Sequence, residues 1–254
     1  MQGLTRRWKL GEGHRGPAGE SLLARVLAVR GLDDPSAIEG FLTPSMGETH
    51  DPGLLPGIDA AAVRLVEAVR NGEPVVIYGD YDVDGITATA ILWHVIRTVA
   101  PDAPLRSYIP HRLEEGYGLN PDALRTLAAE QAAVVVSVDC GITAIDEAEL
   151  ARELGVDLII TDHHTPATDD EGNVVLPAAH SIVHPGLPGG AYPTTDLCGA
   201  GVAFKLACRF ARTWCGSERV STALQHVLTD SLSLVALGTI ADVMPLTGEN
   251  RVLA

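Results

Sequence analysis

The sequence predicts an α/β fold: a mostly parallel sheet with helices on both faces, preceded by a short helical lead-in. Three observations predict it. Short continuous apolar runs, the mark of strands buried on both sides, alternate with stretches of helical apolar spacing from residue 74 onward. Aromatic residues make up only 4% of the chain, so the core is built from Ala, Val, Leu and Ile, which suits helices on a sheet better than an aromatic-rich sandwich. The 254 residues are 46% hydrophobic and 20% charged, ordinary globular values, and the length fits one large domain or one domain with a lead-in.

Each element has its own signal. Residues 21–30 have helical apolar spacing and stop at Gly31; a second short helix follows Pro35, through Ile38 to Leu42. The Pro/Gly-rich stretch Thr43–Gly57 reads as irregular chain. A helix spans Asp59–Arg70, with Asp59 as N-cap and Gly72 past its end. These boundaries divide the chain into a lead-in, 1–58, and a main domain, 59–254. Strands are predicted at Pro74–Tyr78, Leu105–Ile109, Ala133–Val138, Val156–Thr161 and, more weakly patterned, Ser181–Val183. Helices fall between them at Ile86–Val99, Pro121–Glu130 and Thr143–Leu154, and two more close the chain at Ala200–Trp214 and Glu218–Ala241. No internal repeat is present.

Composition excludes several classes. No apolar run approaches the ~18–20 residues of a membrane span, and Met1–Leu10 is polar and basic with no apolar stretch behind it, so neither a membrane partner nor a secretory signal is expected. Cys140, Cys198, Cys208 and Cys215 lack Cys-x-x-Cys spacing and read as reduced thiols of a cytoplasmic protein. The 33 acidic and 18 basic side chains give a net charge of -15, which argues against a generic nucleic-acid coat. It leaves room for a local site whose charge is inverted by bound metal.

In a parallel sheet, ligands bind beyond the carboxyl ends of the strands. The first predicted strand leads into Gly79-Asp80-Tyr81-Asp82-Val83-Asp84-Gly85, the third into Asp139-Cys140-Gly141, the fourth into Asp162-His163-His164. Alternating Asp80, Asp82 and Asp84 can share a face, and carboxylates that close repel one another unless a divalent cation lies between them. A solvated acidic turn, or a helix capped by Asp84, is the plainer alternative. An EF-hand calcium loop fails: its twelfth position is Ile91 rather than Glu, and a strand precedes it. Adjacent His163 and His164 can point to different sides, one to a metal and one to a substrate. Carboxylate plus imidazole without thiolate suits Mn²⁺ or Mg²⁺, and several carboxylates on one edge suggest two ions with a bridging Asp, the arrangement used for in-line displacement at phosphorus.

At these residues the sequence resembles the Asp-His-His (DHH) phosphoesterase superfamily: Asp80–Gly85, Asp139, Asp162-His163-His164 and the late Asp of Gly238-Thr-Ile-Ala-Asp242 stand in that family's order. Within it, the chain is similar to the RecJ single-strand-specific exonucleases, through Phe41-Leu-Thr-Pro44 with His50-Asp-Pro52, Ile109-Pro-His-Arg112 with Glu115-Gly-Tyr-Gly118, and Leu197–Lys205. The resemblance implies a hydrolase that degrades single-stranded DNA 5′-to-3′ to mononucleotides with Mn²⁺ or Mg²⁺, in DNA repair and recombination, alongside a single-strand-binding protein and a helicase. It implies that Asp82 holds one metal and Asp84 the other, that Asp139 bridges them, and that His163 and Asp242 complete the second site. His164 then faces the scissile phosphate, as general acid or charge stabiliser. Asp80 is either a ligand or the holder of a metal-bound water. Arg112 is a candidate for backbone phosphate and Tyr117 for a stacked base, against the plainer readings of a surface arginine and a packed turn. Lys205 follows Gly199-Ala-Gly201, where a helix N-terminus can bind an anion, or where glycines serve close packing.

The resemblance has two gaps. Family members continue into a second domain and usually an OB-fold, and this sequence reaches Ala254 before either, so a catalytic half is expected. His184-Pro185 stands where the family has an Asn-Pro type sequence, and His184 has no assigned role. The same chemistry serves other substrates in the superfamily: short oligonucleotides, cyclic dinucleotides or pyrophosphate. A relative that lost its metals would be a scaffold, but here every candidate ligand is present.

Overall fold

The computed structural model describes residues 21–254; the Met1–Leu10 segment lies outside them. The described residues separate into two compact units, one ending at Glu48 and the other Thr49–Ala254. The first carries α1 (Leu22–Val29), capped by Ser21, and α2 (Pro35–Leu42), capped by Asp34, whose carboxylate accepts from the Ser36 and Ala37 amides. The division falls earlier than residue 58, because Leu55 and Ile58 are buried in the core of the larger unit.

The larger unit begins with α3 (Ile58–Asn71) and alternates thereafter: β1 (Val75–Tyr78), α4 (Val83–Val99), β2 (Leu105–Tyr108), α5 (Pro121–Ala129), β3 (Val134–Val138), α6 (Ile145–Glu153), β4 (Asp157–Thr161). A short hairpin, β5 (Ala167–Thr168) with β6 (Val174–Val175), precedes β7 (Ser181–Val183). Three helices follow: α7 (Gly199–Cys215), α8 (Thr222–Ala241) and α9 (Gly248–Leu253). The five long-range strands form one parallel sheet in the order β2-β1-β3-β4-β7. Alternate residues of each strand feed opposite layers. Val75 and Ile77 of β1 join α3, α4 and α7 on one face, whereas Val76 and Tyr78 join α5 and α6 on the other. That two-sided burial is why β1, β3 and β4 read as apolar runs, whereas edge strand β2 exposes Arg106 and Ser107.

Some details differ from expectation. Gly57, not Asp59, caps α3; its left-handed conformation (φ 70°) starts the helix one residue sooner, and the Asp59 carboxylate accepts from Arg209 Nε at 2.6 Å. The last long helix starts at Thr222, capped by Ser221, rather than at Glu218, whose carboxylate pairs with Arg212. The β5–β6 hairpin and α9 are additions. Among the described residues, α8 has the length and apolarity of a membrane span (20 residues, hydropathy 1.2), contrary to the sequence expectation; it packs along α4 and α7 as part of the globular unit.

Lys205 lies inside α7 and is only 2% exposed. Its ammonium pairs with Glu249 of α9 and donates to the His50 carbonyl at 2.7 Å. Glu249 also accepts from the His50 amide at 2.8 Å and from the Tyr192 hydroxyl. The charge is thus committed to tying the start of the unit, the Tyr192 loop, α7 and α9 together, which removes Lys205 from the candidates for substrate contact. Replacing Glu249 by Ala strands a buried ammonium, and we expect urea denaturation to show a loss of about 3–5 kcal/mol.

Candidate metal centre at the carboxyl edge of the sheet

The three central strands, β1, β3 and β4, end side by side and deliver Asp80, Asp139 and Asp162-His163-His164 to one edge. The first turn of α4 adds Asp82 and Asp84, and the end of α8 adds Asp242. His163 Nε2 stands 3.1 Å from Asp139 Oδ1 and 3.7 Å from both Asp84 Oδ2 and Asp242 Oδ2. Potential ligand atoms of Asp84, His163 and Asp242 lie within 4.8 Å of one another, and so do those of Asp80, Asp82 and Asp139. Asp139, His163 and His164 form a third such group, so Asp139 is shared between the two ends of the cluster.

Asp80, Asp84 and Asp139 are buried, and Asp80 Oδ1, Asp139 Oδ1 and His163 Nε2 lack a hydrogen-bond partner among the described residues. Orphaned buried atoms spread along one cluster that Asp139 links, all oxygen or imidazole nitrogen, fit hard divalent cations. Burial, with the Asp84 and Asp82 carboxylates adding to it, pushes the Asp139 carboxyl up to about 10. Burial also raises Asp80 and Asp242. Asp139 holds a left-handed backbone (φ 61°), a conformation uncommon outside glycine and concentrated at functional sites.

The surrounding chain answers part of the charge. Asp84 receives the Gly199 amide at 2.6 Å and the Ala200 amide at 2.9 Å, so the anion at the N-terminus of α7 is a carboxylate of the same chain. The glycines at both contacts are required: a Cβ on Gly199 would overlap Asp139, and one on Gly238 would overlap Asp84 and Ala200. Asp82, rather than Asp84, caps α4, through Oδ1 and the Gly85 amide at 2.9 Å.

Asp162 does something the sequence reading did not assign. It is 1% exposed and accepts four hydrogen bonds: from the Ile142 amide at 2.9 Å, the His163 and His164 amides at 2.7 and 3.1 Å, and His164 Nδ1 at 2.7 Å. Burial works to raise its pKa, but these bonds prevail and hold it low. The bond to Asp162 in turn raises His164 above the ordinary histidine value, favouring the cation on a half-exposed ring. The position of Asp162 directly before the two histidines was the available signal.

Tyr117 donates to the Asp139 carbonyl at 3.1 Å and lies within 3.4 Å of the ring nitrogens of His164. Its ring meets Tyr81 edge-on at 6.4 Å, and the Arg112 guanidinium covers Tyr81 at 5.0 Å. Glu115 holds this loop by accepting from the Tyr108 hydroxyl and the His111 amide. Arg112 and Tyr117 are therefore brought to the cluster, with Tyr81 as an unforeseen link between them.

A family model described as the DHH family, N-terminal domain, matches residues 74–239. The single-stranded-DNA-specific exonuclease RecJ of Bacillus subtilis is 40% identical over 233 residues, which are 92% of this chain and 27% of that protein. The protein of the same description from Thermus thermophilus is 40% identical over 214 residues, 81% of this chain and 28% of its own length. The chain thus spans little more than a quarter of these relatives. Among solved structures, exonuclease RecJ bound to manganese superposes with a TM-score of 0.65 at 38% identity, covering 78% of this chain and 46% of that one. RecJ from T. thermophilus in complex with Mn²⁺ gives 0.67 at 32% identity, over 91% of this chain and 29% of that one.

A raised carboxyl has a pH consequence. From its ordinary 3.8 up to about 10, Asp139 in the ion-free fold retains a proton that a bound cation displaces. Cation affinity therefore rises with pH across that window, and the ion-free fold loses stability over it. Mn²⁺ titration calorimetry at pH 7 in two buffers of different ionisation enthalpy should register the release of about one proton, which Asp139→Asn removes.

Proposed function

The chain belongs to the DHH family, and on that premise we propose that it is the catalytic part of a two-metal phosphodiesterase, an exonuclease that degrades single-stranded DNA 5′-to-3′ to 5′-mononucleotides. The observation that carries this reading is the convergence of five carboxylates and His163 around orphaned buried atoms at the strand ends. The likeness to relatives described as single-stranded-DNA-specific exonucleases supports the substrate.

Asp82, with Asp80 beside it, would hold one Mn²⁺ or Mg²⁺; Asp84, His163 and Asp242 would hold the second, and Asp139 would bridge. Two such ions supply charge neutralisation at the phosphate and activation of the attacking water. The chain's own contribution is to hold and supply protons and to position substrate. His164, whose cationic form the bond to Asp162 favours, would offer its other ring edge to the scissile phosphate as acid or charge stabiliser. Arg112, held over the Tyr81 ring, would meet a backbone phosphate, and the Tyr81–Tyr117 pair would offer a base-stacking surface. Single-stranded DNA as substrate is consistent with a cytoplasmic role in repair and recombination beside a single-strand-binding protein and a helicase.

The test is digestion of end-labelled single strands and of dinucleotides with Mn²⁺, using the chain in its full-length context. Cleavage of dinucleotides that spares long strands would move the reading to an oligonucleotide phosphodiesterase of the same superfamily. Asp82→Ala and His163→Ala are each expected to abolish cleavage with the far-ultraviolet circular dichroism unchanged; retained activity in either would undo the ligand assignment. The isolated 254-residue chain, at a net -15, should bind single-stranded DNA weakly. Fluorescence anisotropy showing tight binding that resists salt would place the phosphate grip within it.

A further inference from the structure

His164 is gripped through its main chain as well as its ring. Its amide donates to Asp162, and its carbonyl accepts from His184 Nε2 at 2.8 Å. His184 follows β7, whose Val183 lies in register with Thr161 of β4, and the Asp162 amide donates to the Val183 carbonyl at 3.2 Å. Two neighbouring strands thus leave the sheet together, and His184 bridges from one to the loop of the other.

The tautomer of His184 follows from its partners. The Gly186 amide donates to Nδ1 at 2.9 Å, and an amide has only a proton to offer, so Nδ1 carries the lone pair. Nε2 then carries the proton and is the donor to the His164 carbonyl. The residue is 3% exposed, and burial lowers its pKa below the ordinary histidine value, which keeps the ring neutral. Pro185 has no amide of its own, and Gly186 lies close enough that a Cβ there would press to 3.3 Å from His184 Cε1.

We propose that His184 is a positioning residue, a neutral strut that fixes the His164 main chain so that Asp162 can orient the ring toward the phosphate. This rests on the role given to His164 above. Asp162 alone holds the amide and Nδ1; without the strut the carbonyl end of the residue is free to turn, and the ring edge moves with it. A misplacement of about 1 Å at a reacting group can cost about 100-fold in rate.

The variants are His184→Ala and His184→Gln in the full-length context, assayed on single-stranded DNA at saturating Mn²⁺. Gln places an amide near Nε2 and can donate to the carbonyl. We expect kcat to fall at least tenfold in Ala and to recover largely in Gln, with KM and Mn²⁺ affinity within about twofold of the parent. Equal kcat in Ala and parent, equal loss in Gln and Ala, or a loss carried by KM or Mn²⁺ affinity would overturn the role. Imidazole ¹⁵N shifts of the unmodified protein at neutral pH provide a readout free of folding effects: protonated Nε2 with bare Nδ1 supports the strut, and the opposite tautomer or a cation refutes it. A parent protein inactive on every phosphodiester would overturn the function reading and this role with it, whereas an active parent with insensitive variants overturns the strut alone.

Discussion

Carboxylates crowded into a water-poor edge must have their charge answered, and the main unit is arranged around that requirement. Each acid is answered differently. Asp84 is met by two amides at the N-terminus of α7. Asp82 is met by the first turn of its own helix. Asp162 is met by three amides and an imidazole. Asp139, shared between both ends of the cluster and buried, has no such donor for Oδ1, and its affinity for a proton marks the place where a cation belongs.

The helices serve this arrangement as much as they serve the core. For the Asp84 carboxylate to touch the α7 amides, α4, α7 and α8 must approach closely, and Gly199 and Gly238 stand where any side chain would collide with the carboxylates. The buried Lys205–Glu249 pair holds the opposite flank of α7 to α9 and to His50. The same helix therefore carries an internal ion pair and, at its N-terminus, a binding surface for a functional acid. A formal charge of -15 is in this sense a mixture: part of it is the cluster, and it is the part that divalent ions would reverse.

Much of this was legible along the chain, element by element. The strands at Val75, Val134 and Asp157 announced themselves as apolar runs because both faces of the sheet are covered, and the residues after them fell at the ligand edge because parallel strands all point one way. The β5–β6 hairpin has only two residues per strand, too few to leave a periodic signal. The Asp59 cap was misplaced because Gly57 occupies a left-handed turn that composition does not reveal. Lys205 looked like an anion contact beside a glycine-rich helix start; its partner Glu249 lies 44 residues away, beyond any local pattern.

By itself, then, the amino-acid sequence determined which chemical groups stand at the strand ends and in what order, since strand period and chain direction are local properties. Only the tertiary structure decided what each group is free to do. Whether an acid is spent on a helix cap, on a histidine, or left bare for a metal depends on which amides face it, and those amides come in part from α7 and from the turn at Ile142, segments brought to the edge by packing. Hydrogen bonds and burial are set by neighbours in space, so the division of roles among Asp82, Asp84, Asp139 and Asp162 emerges only when the sheet and its helices have closed around them.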